Sequence, residues 1–262
     1  MLRESAIQPQ LIAIIVSPLL SAIVALAGYV YEAIVTYSLT ILTLLGFLAY
    51  TYDKLKPALL KTFTRALFLR MIPAMLFALI VLLLRVLEPP IIESLKSSAV
   101  KNVHYAFDVL IVVAFAALSY ASLSAYFVFR RVYGETLAQV TVSAGAALLV
   151  VTLSVLSALG PERSSVTYWL FSVPSSIFLA LTVYSMVALA LMLPGGAYTD
   201  MFYGAAGLVV VLVAAAFSHK SIHMLGLREL YPAWAVVFSL LTVPPAYLLV
   251  SAARRIEEAA GR

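Results

Sequence analysis

Long apolar blocks separated by short polar segments dominate this chain. A helix needs roughly 20 apolar residues to cross a hydrocarbon layer about 30 Å thick. On that scale the blocks predict membrane-spanning helices at about Leu11–Tyr29, Ile34–Tyr52, Leu67–Leu87, Tyr105–Phe129, Thr136–Leu159, Tyr168–Leu193, Tyr203–Ser218 and Pro232–Arg254. Tyrosines at the edges of the first two suit the aromatic belts found where bilayer meets water. Turn chemistry marks the joints, as in Gly160-Pro161 and Pro194-Gly195-Gly196. The polar run EPPIIESLKSSAVKN reads as an outer loop holding a short helix, and HKSIHMLGLREL as the last outer loop. The predicted fold class is all-α: a polytopic membrane helix bundle of about eight transmembrane helices in a single domain, residues 1–262. A count of seven would require the first or seventh span to be re-entrant.

One stretch departs from the apolar pattern. Asp53–Arg70, DKLKPALLKTFTRALFLR, is strongly basic. At about 100° per residue, Lys54, Lys61 and Arg65 fall within about 40° of one another, with Leu55, Leu59, Phe63 and Leu67 on the other side. The pattern predicts one interfacial amphipathic helix, capped by Asp53 and carrying Pro57 in its first turn, where a missing N–H costs nothing. Cations beside spans are retained on the cytoplasmic side, which puts this helix on the inner surface. Threading outward from it places eleven of the 17 Lys and Arg inside, among them Arg130-Arg131 and Arg254-Arg255, and the other six outside. Both termini then face the cytoplasm, and the first span, preceded only by Met1–Glu4, is retained rather than cleaved. The stripe of Lys54, Lys61 and Arg65 is a surface for a partner or for lipid. Anionic headgroups are its simplest occupant, and an acidic face of a cytoplasmic protein, or passing nucleic acid, is the alternative.

Composition agrees with the pattern: 64% hydrophobic and 11% charged residues, with a mean hydropathy of +1.06, exclude a soluble domain. A net charge of +5 would suggest nucleic acid in a soluble chain, but here most cations flank spans and topology accounts for them. The absence of cysteine excludes disulfides, iron–sulfur clusters, thiolate zinc and thiol nucleophiles. Asn102 is the only asparagine, and depletion of heat-labile amides points to a thermophilic host.

The middles of the spans hold no ionisable residue. Arg85 and Asp108 lie near span ends, and Glu32, Asp200 and His219 at span borders. Carriers coupled to protons or sodium usually keep a carboxylate near mid-membrane, so this vacancy argues against one. Milder polarity remains in Thr36, Ser38, Thr40 and Thr43, in Ser119, Ser122 and Ser124, and in Ser172, Ser175, Ser176, Thr182 and Ser185. These hydroxyls are expected to bond across helices or back to their own carbonyls. The functional alternative is a hydroxyl-lined path, fed by carbonyls that Pro174 and Pro244-Pro245 would free. Gly204, Gly207 and Ala214 to Ala216 mark close helix packing, because no Lys and Ser/Thr follow in phosphate-loop spacing.

Histidine supplies the sharpest constellation. His104 begins the fourth span with Asp108 one turn on, and His219 and His223 stand four residues apart, all on the outer side. Three imidazoles and an open position would suit catalytic zinc, with Asp108 as a further ligand or as a hydrogen-bond partner of His104. This set resembles the site of the membrane hydrolase family of alkaline ceramidases and adiponectin receptors, in which a lone His and an HxxxH pair bind zinc. The family's Ser four residues before the first His is replaced here by Val100, and Lys220 intrudes between the paired histidines. A transmembrane haem would need histidines at matching depth inside the bilayer, and a retinal Schiff base a lysine in mid-helix; neither is present. Intramembrane proteolysis would need a buried Ser/His pair or paired aspartates, also missing.

In size, span count, scarcity of intramembrane charge and the basic segment leading into the third span, the layout resembles the polytopic channel subunits of type IV secretion systems and their archaeal DNA-import relatives. The resemblance implies a non-catalytic conduit, without cofactor, working with other membrane subunits and a separate cytoplasmic ATPase. A small-molecule permease is the alternative, and a zinc-dependent hydrolase using His104, His219 and His223 the third reading.

Overall fold

The computed structural model describes residues 8–27, 37–46, 48–49, 53, 65–86, 97–158, 166–193 and 195–260, and the regular structure among them is entirely helical. In chain order the helices are α1 (Gln8–Ala27), α2 (Tyr37–Gly46), α3 (Arg65–Val86), α4 (Ser97–Tyr133), α5 (Leu137–Ala158), α6 (Val166–Met192) and α7 (Ala197–Met224). A 3-10 turn at Arg228–Leu230 leads into α8 (Tyr231–Leu241) and α9 (Val243–Ala260). Among the described residues four stretches are long and apolar enough to cross a membrane: Tyr105–Tyr133, Leu170–Met192, Ala197–Ala215 and Tyr231–Ile256. Shorter apolar helical stretches occupy Ile15–Ala27, Tyr37–Gly46, Arg70–Leu84 and Leu137–Thr152. Most of the expected amphipathic helix, including Lys54 and Lys61, lies outside the described residues; Asp53 is helical and exposed, and Arg65 opens α3.

Helix ends follow from glycine and proline more than from polarity. No Gly or Pro interrupts Ser97–Tyr133, so α4 runs for 37 residues: it takes in Ser97 to Asn102, the end of the expected outer loop, and continues through His104 into the fourth span. It stops at Gly134, whose φ of 73° a side chain would oppose and whose N–H bonds to the Arg130 carbonyl at 3.0 Å. Thr136 and Gln139 then start α5 as a reciprocal capping box: the Thr136 N–H donates to Gln139 Oε1 at 2.8 Å, and the Gln139 N–H to Thr136 Oγ1 at 3.3 Å. The seventh span is longer than expected, because His219 to Met224 continue α7 instead of forming a loop. Nothing there stops a helix until Gly226, at φ 69°, where the Leu227 N–H reaches back to the Ile222 carbonyl at 3.1 Å.

Prolines act according to number. Pro18, Pro73 and Pro174 each sit inside an unbroken helix. Pro244-Pro245 removes two successive donors and disfavours helical geometry before each ring, and the last apolar stretch divides at Thr242 into α8 and α9. The Thr242 hydroxyl there donates to the Ser239 carbonyl at 2.6 Å.

The helices pack as two groups. In one, α3 lies on α4, α4 on α6, and α6 on α5; in the other, α7 lies on α8 and α9, and α1 on both of these. Helix α2 joins the second group through Thr40 Oγ1, which donates to Ser21 Oγ at 2.9 Å, and through the 2.9 Å contact of Ser17 Oγ with Thr43 Oγ1. The groups meet where α6 and α5 pack on α7, while α3 makes only slight contact with α7. The tightest approach is between α7 and α9. A Cβ on Gly204 would lie 2.7 Å from the Pro245 carbonyl oxygen and 2.9 Å from Leu249 N, and one on Gly207 2.9 Å from Pro245 Cβ.

Gly204→Ala should therefore destabilise the purified protein by about 1–3 kcal/mol, since backbone must move to admit the methyl. Gly145→Ala, on an exposed face of α5 with nothing within 4 Å of the new Cβ, should be neutral or stabilising by roughly 0.5–1 kcal/mol. Thermal unfolding in one detergent compares the two directly.

Candidate functional site

Polar side chains collect along the seam between α4 and α6, and the most buried carboxylate among the described ion pairs stands at its end. Gly134 turns the chain so sharply that Glu135 points back into the bundle, where its side chain is 2% exposed. The Tyr126 hydroxyl donates to Glu135 Oε2 at 2.6 Å, the Tyr184 hydroxyl to Oε1 at 3.3 Å, and Arg130 Nε lies 3.3 Å from Oε2. The tyrosine rings meet edge to face with centroids 5.6 Å apart, and the Arg130 guanidinium sits 5.8 Å from the centre of the Tyr126 ring. Helix α4 supplies Tyr126 and Arg130, and α6 supplies Tyr184. Gln139 of α5 adds a fourth tie, its Nε2 donating to the Leu191 carbonyl at the end of α6 at 2.8 Å. Every group around Glu135 is a donor, so the carboxylate serves as the common acceptor of three side chains from two helices.

Deeper in the same seam, Ser185 Oγ donates to Ser122 Oγ at 2.7 Å, and Ser122 Oγ to the Ser119 carbonyl at 3.1 Å, all of it buried. Ser175, Ser176 and Thr182 donate to carbonyls one turn back in α6, at 2.8 Å each. The hydroxyls are thus spent on helix contacts and on their own helices, the packing role expected of them. Among those in the last span, Ser239 Oγ is buried and meets no partner among the described residues.

The other polar centre lies at the opposite end of α7. Trp234 Nε1 donates to Ser218 Oγ at 2.9 Å and to the Ala215 carbonyl at 3.2 Å. The His219 ring packs 5.1 Å from Trp234 and 5.0 Å from Tyr231, and Tyr37 brings α2 to Trp234 at 4.7 Å. His223 follows His219 by one helical turn, and His104 precedes Asp108 by one turn of α4, so each pair shares a helix face. The side chains of His104 and His223 lie outside the described residues, and among those described no three His, Asp or Glu groups gather as a metal site. At the near end of α7, Asp200 forms an ion pair with Arg255 of α9, and Arg254 pairs with Glu258 at 2.8 Å. Phe129 and Phe202 meet edge to face at 6.5 Å, so Arg130-Arg131 and Arg254-Arg255 share one end of the bundle, away from His219.

Glu135, Tyr126, Tyr184 and Trp234 play no part in the sequence expectations. A signal for Glu135 exists: Gly134 followed by the Thr136-x-x-Gln139 capping box marks a tight helical hairpin, and an arginine one turn back offers a partner. The two tyrosines carry no such mark, because aromatic residues are common in spans. No family model, curated protein or solved structure matches the chain.

Glu135→Ala leaves two tyrosine hydroxyls without their acceptor and should cost about 1–3 kcal/mol. Tyr184→Phe removes only the longer hydrogen bond and should cost less. A double-mutant cycle of Glu135→Ala with Tyr126→Phe, read by thermal unfolding, should show clear coupling; additive losses would mean that the hydroxyl and carboxylate act separately.

Proposed function

We propose that the chain is a multi-pass membrane subunit of conduit or permease type, crossing the cell membrane eight times with both termini cytoplasmic and performing no covalent chemistry of its own. The observation that carries this reading is that four helical stretches among the described residues are long and apolar enough to cross a membrane. The adjacent Pro244 and Pro245 in the last of these stretches add support, because they remove backbone donors that a regular helical ladder would use. The order of turns and helices also fits the threading in which both arginine pairs face the cytoplasm. With no phosphate loop in the chain, energy for directed transport would come from a separate ATPase. The stripe of Lys54, Lys61 and Arg65 is the surface this reading assigns to that partner. A permease that works alone is the alternative.

Drawn gently from its native membrane, the protein should come away in fixed ratio with other multi-pass proteins and an ATPase. A variant with Lys54→Gln, Lys61→Gln and Arg65→Gln should insert normally and lose more than half of the bound ATPase. A homomeric protein that moves a solute across liposomes unaided would replace the subunit reading with the permease.

A further inference from the structure

Hydroxyls inside the described helices mostly donate one turn back to a carbonyl of their own helix, as Ser175, Thr182, Ser185 and Ser218 do. Ser239 departs from that habit. Its side chain is fully buried, and its Oγ meets neither the Ala235 carbonyl nor any other hydrogen-bonding group among the described residues. A buried oxygen without a partner forfeits its hydration, and in folded proteins such groups are commonly satisfied by ordered water.

A second hydroxyl stands close by. Thr242, also fully buried, follows Ser239 by three residues, and the backbone there stays helical: the Thr242 N–H donates to the Phe238 carbonyl at 3.2 Å, and the Ala246 N–H to the Thr242 carbonyl at 3.1 Å. Side chains three apart on a helix share a face, with Cβ atoms about 5–6 Å apart. That is roughly the span of two hydrogen bonds of about 2.8 Å through one oxygen. The proton inventory fits as well. Thr242 gives its only hydroxyl proton to the Ser239 carbonyl at 2.6 Å and keeps a lone pair, whereas Ser239 has both a proton and lone pairs to offer. We infer that a buried water bridges Ser239 and Thr242 where α8 meets α9, accepting from Ser239 Oγ and donating to Thr242 Oγ1. Its second hydrogen suits the Ala235 carbonyl, the usual acceptor for a serine at this position, which completes the three bonds typical of a buried water. A cation would need charge or a larger shell of oxygens than two hydroxyls supply. Pro244 and Pro245 withhold two main-chain donors just beyond Thr242, and inside a bilayer Ser/Thr hydroxyls and ordered water keep such a joint satisfied. The inference needs no transport activity.

A double-mutant cycle read by thermal unfolding, with a high-resolution structure of the wild-type protein, tests it. Ser239→Ala removes one holder of the water and should lower the melting temperature by about 2–4 °C. A hydroxyl with no partner at all would instead give a rise. Thr242→Val keeps the shape of the side chain and should also lower the melting temperature, but by less once residue 239 is alanine, because the water has then already lost a holder. In wild-type density a water should lie within hydrogen-bond distance of both hydroxyls, and it should be missing from Ser239→Ala. A higher melting temperature for Ser239→Ala, additive losses in the cycle, or density in which Ser239 Oγ turns onto the Ala235 carbonyl with no water beside Thr242 overturns the inference.

Discussion

At Gly204 and Gly207 the backbone of α7 lies against Pro245 and Leu249 of α9, closer than any side chain would permit. Helices in lipid gain little from hydrophobic burial against one another, because the tails around them are equally apolar. Close van der Waals contact between small residues takes that role. The contact matters beyond the two helices it joins. The last apolar stretch lacks two successive backbone donors at Pro244-Pro245, where α8 meets α9. Helix α7, unbroken from Ala197 to Met224, holds both: α9 through the glycines and the Asp200–Arg255 pair, and α8 through Trp234 on Ser218 and Ala215. Helices α1 and α2 then pack on the pair so fixed.

The second helix group depends on polar contacts of a different kind. Glu135 gathers Tyr126 and Arg130 from α4 and Tyr184 from α6, while Ser122 and Ser185 meet deeper in the seam. A carboxylate buried at a helix joint is costly unless its oxygens are satisfied, and here both accept hydrogen bonds. The two groups therefore differ in their cement: backbone contact in one, a shared acceptor in the other.

Apolar block length and turn residues make the all-helical class and most positions of the described helices legible in the sequence. Gly195-Gly196 mark a joint that the structure contains, between α6 and α7. The run from His219 to Met224 reads as loop by its polarity, yet the backbone stops only where donors or sterics require it, at Gly226. The start of α4 at Ser97 has the same explanation. Close packing at Gly204 and Gly207 was readable because glycine inside an apolar helix has few other uses there. The Glu135 centre is legible only in part: Gly134 and the capping box mark the hairpin, while Tyr184, 49 residues away in sequence, joins it only through the tertiary contact.

The central claim is that α7 passes from one face of the membrane to the other, with the arginine pairs at one end and His219 at the other. Because the chain has no cysteine, single cysteines report position cleanly. Tyr133→Cys and Leu225→Cys place one at each end of the bundle, at residues 53% and 67% exposed. In intact cells a membrane-impermeant maleimide should label Leu225→Cys and spare Tyr133→Cys until the membrane is opened. Labelling of both from outside, or of Tyr133→Cys alone, would contradict the account.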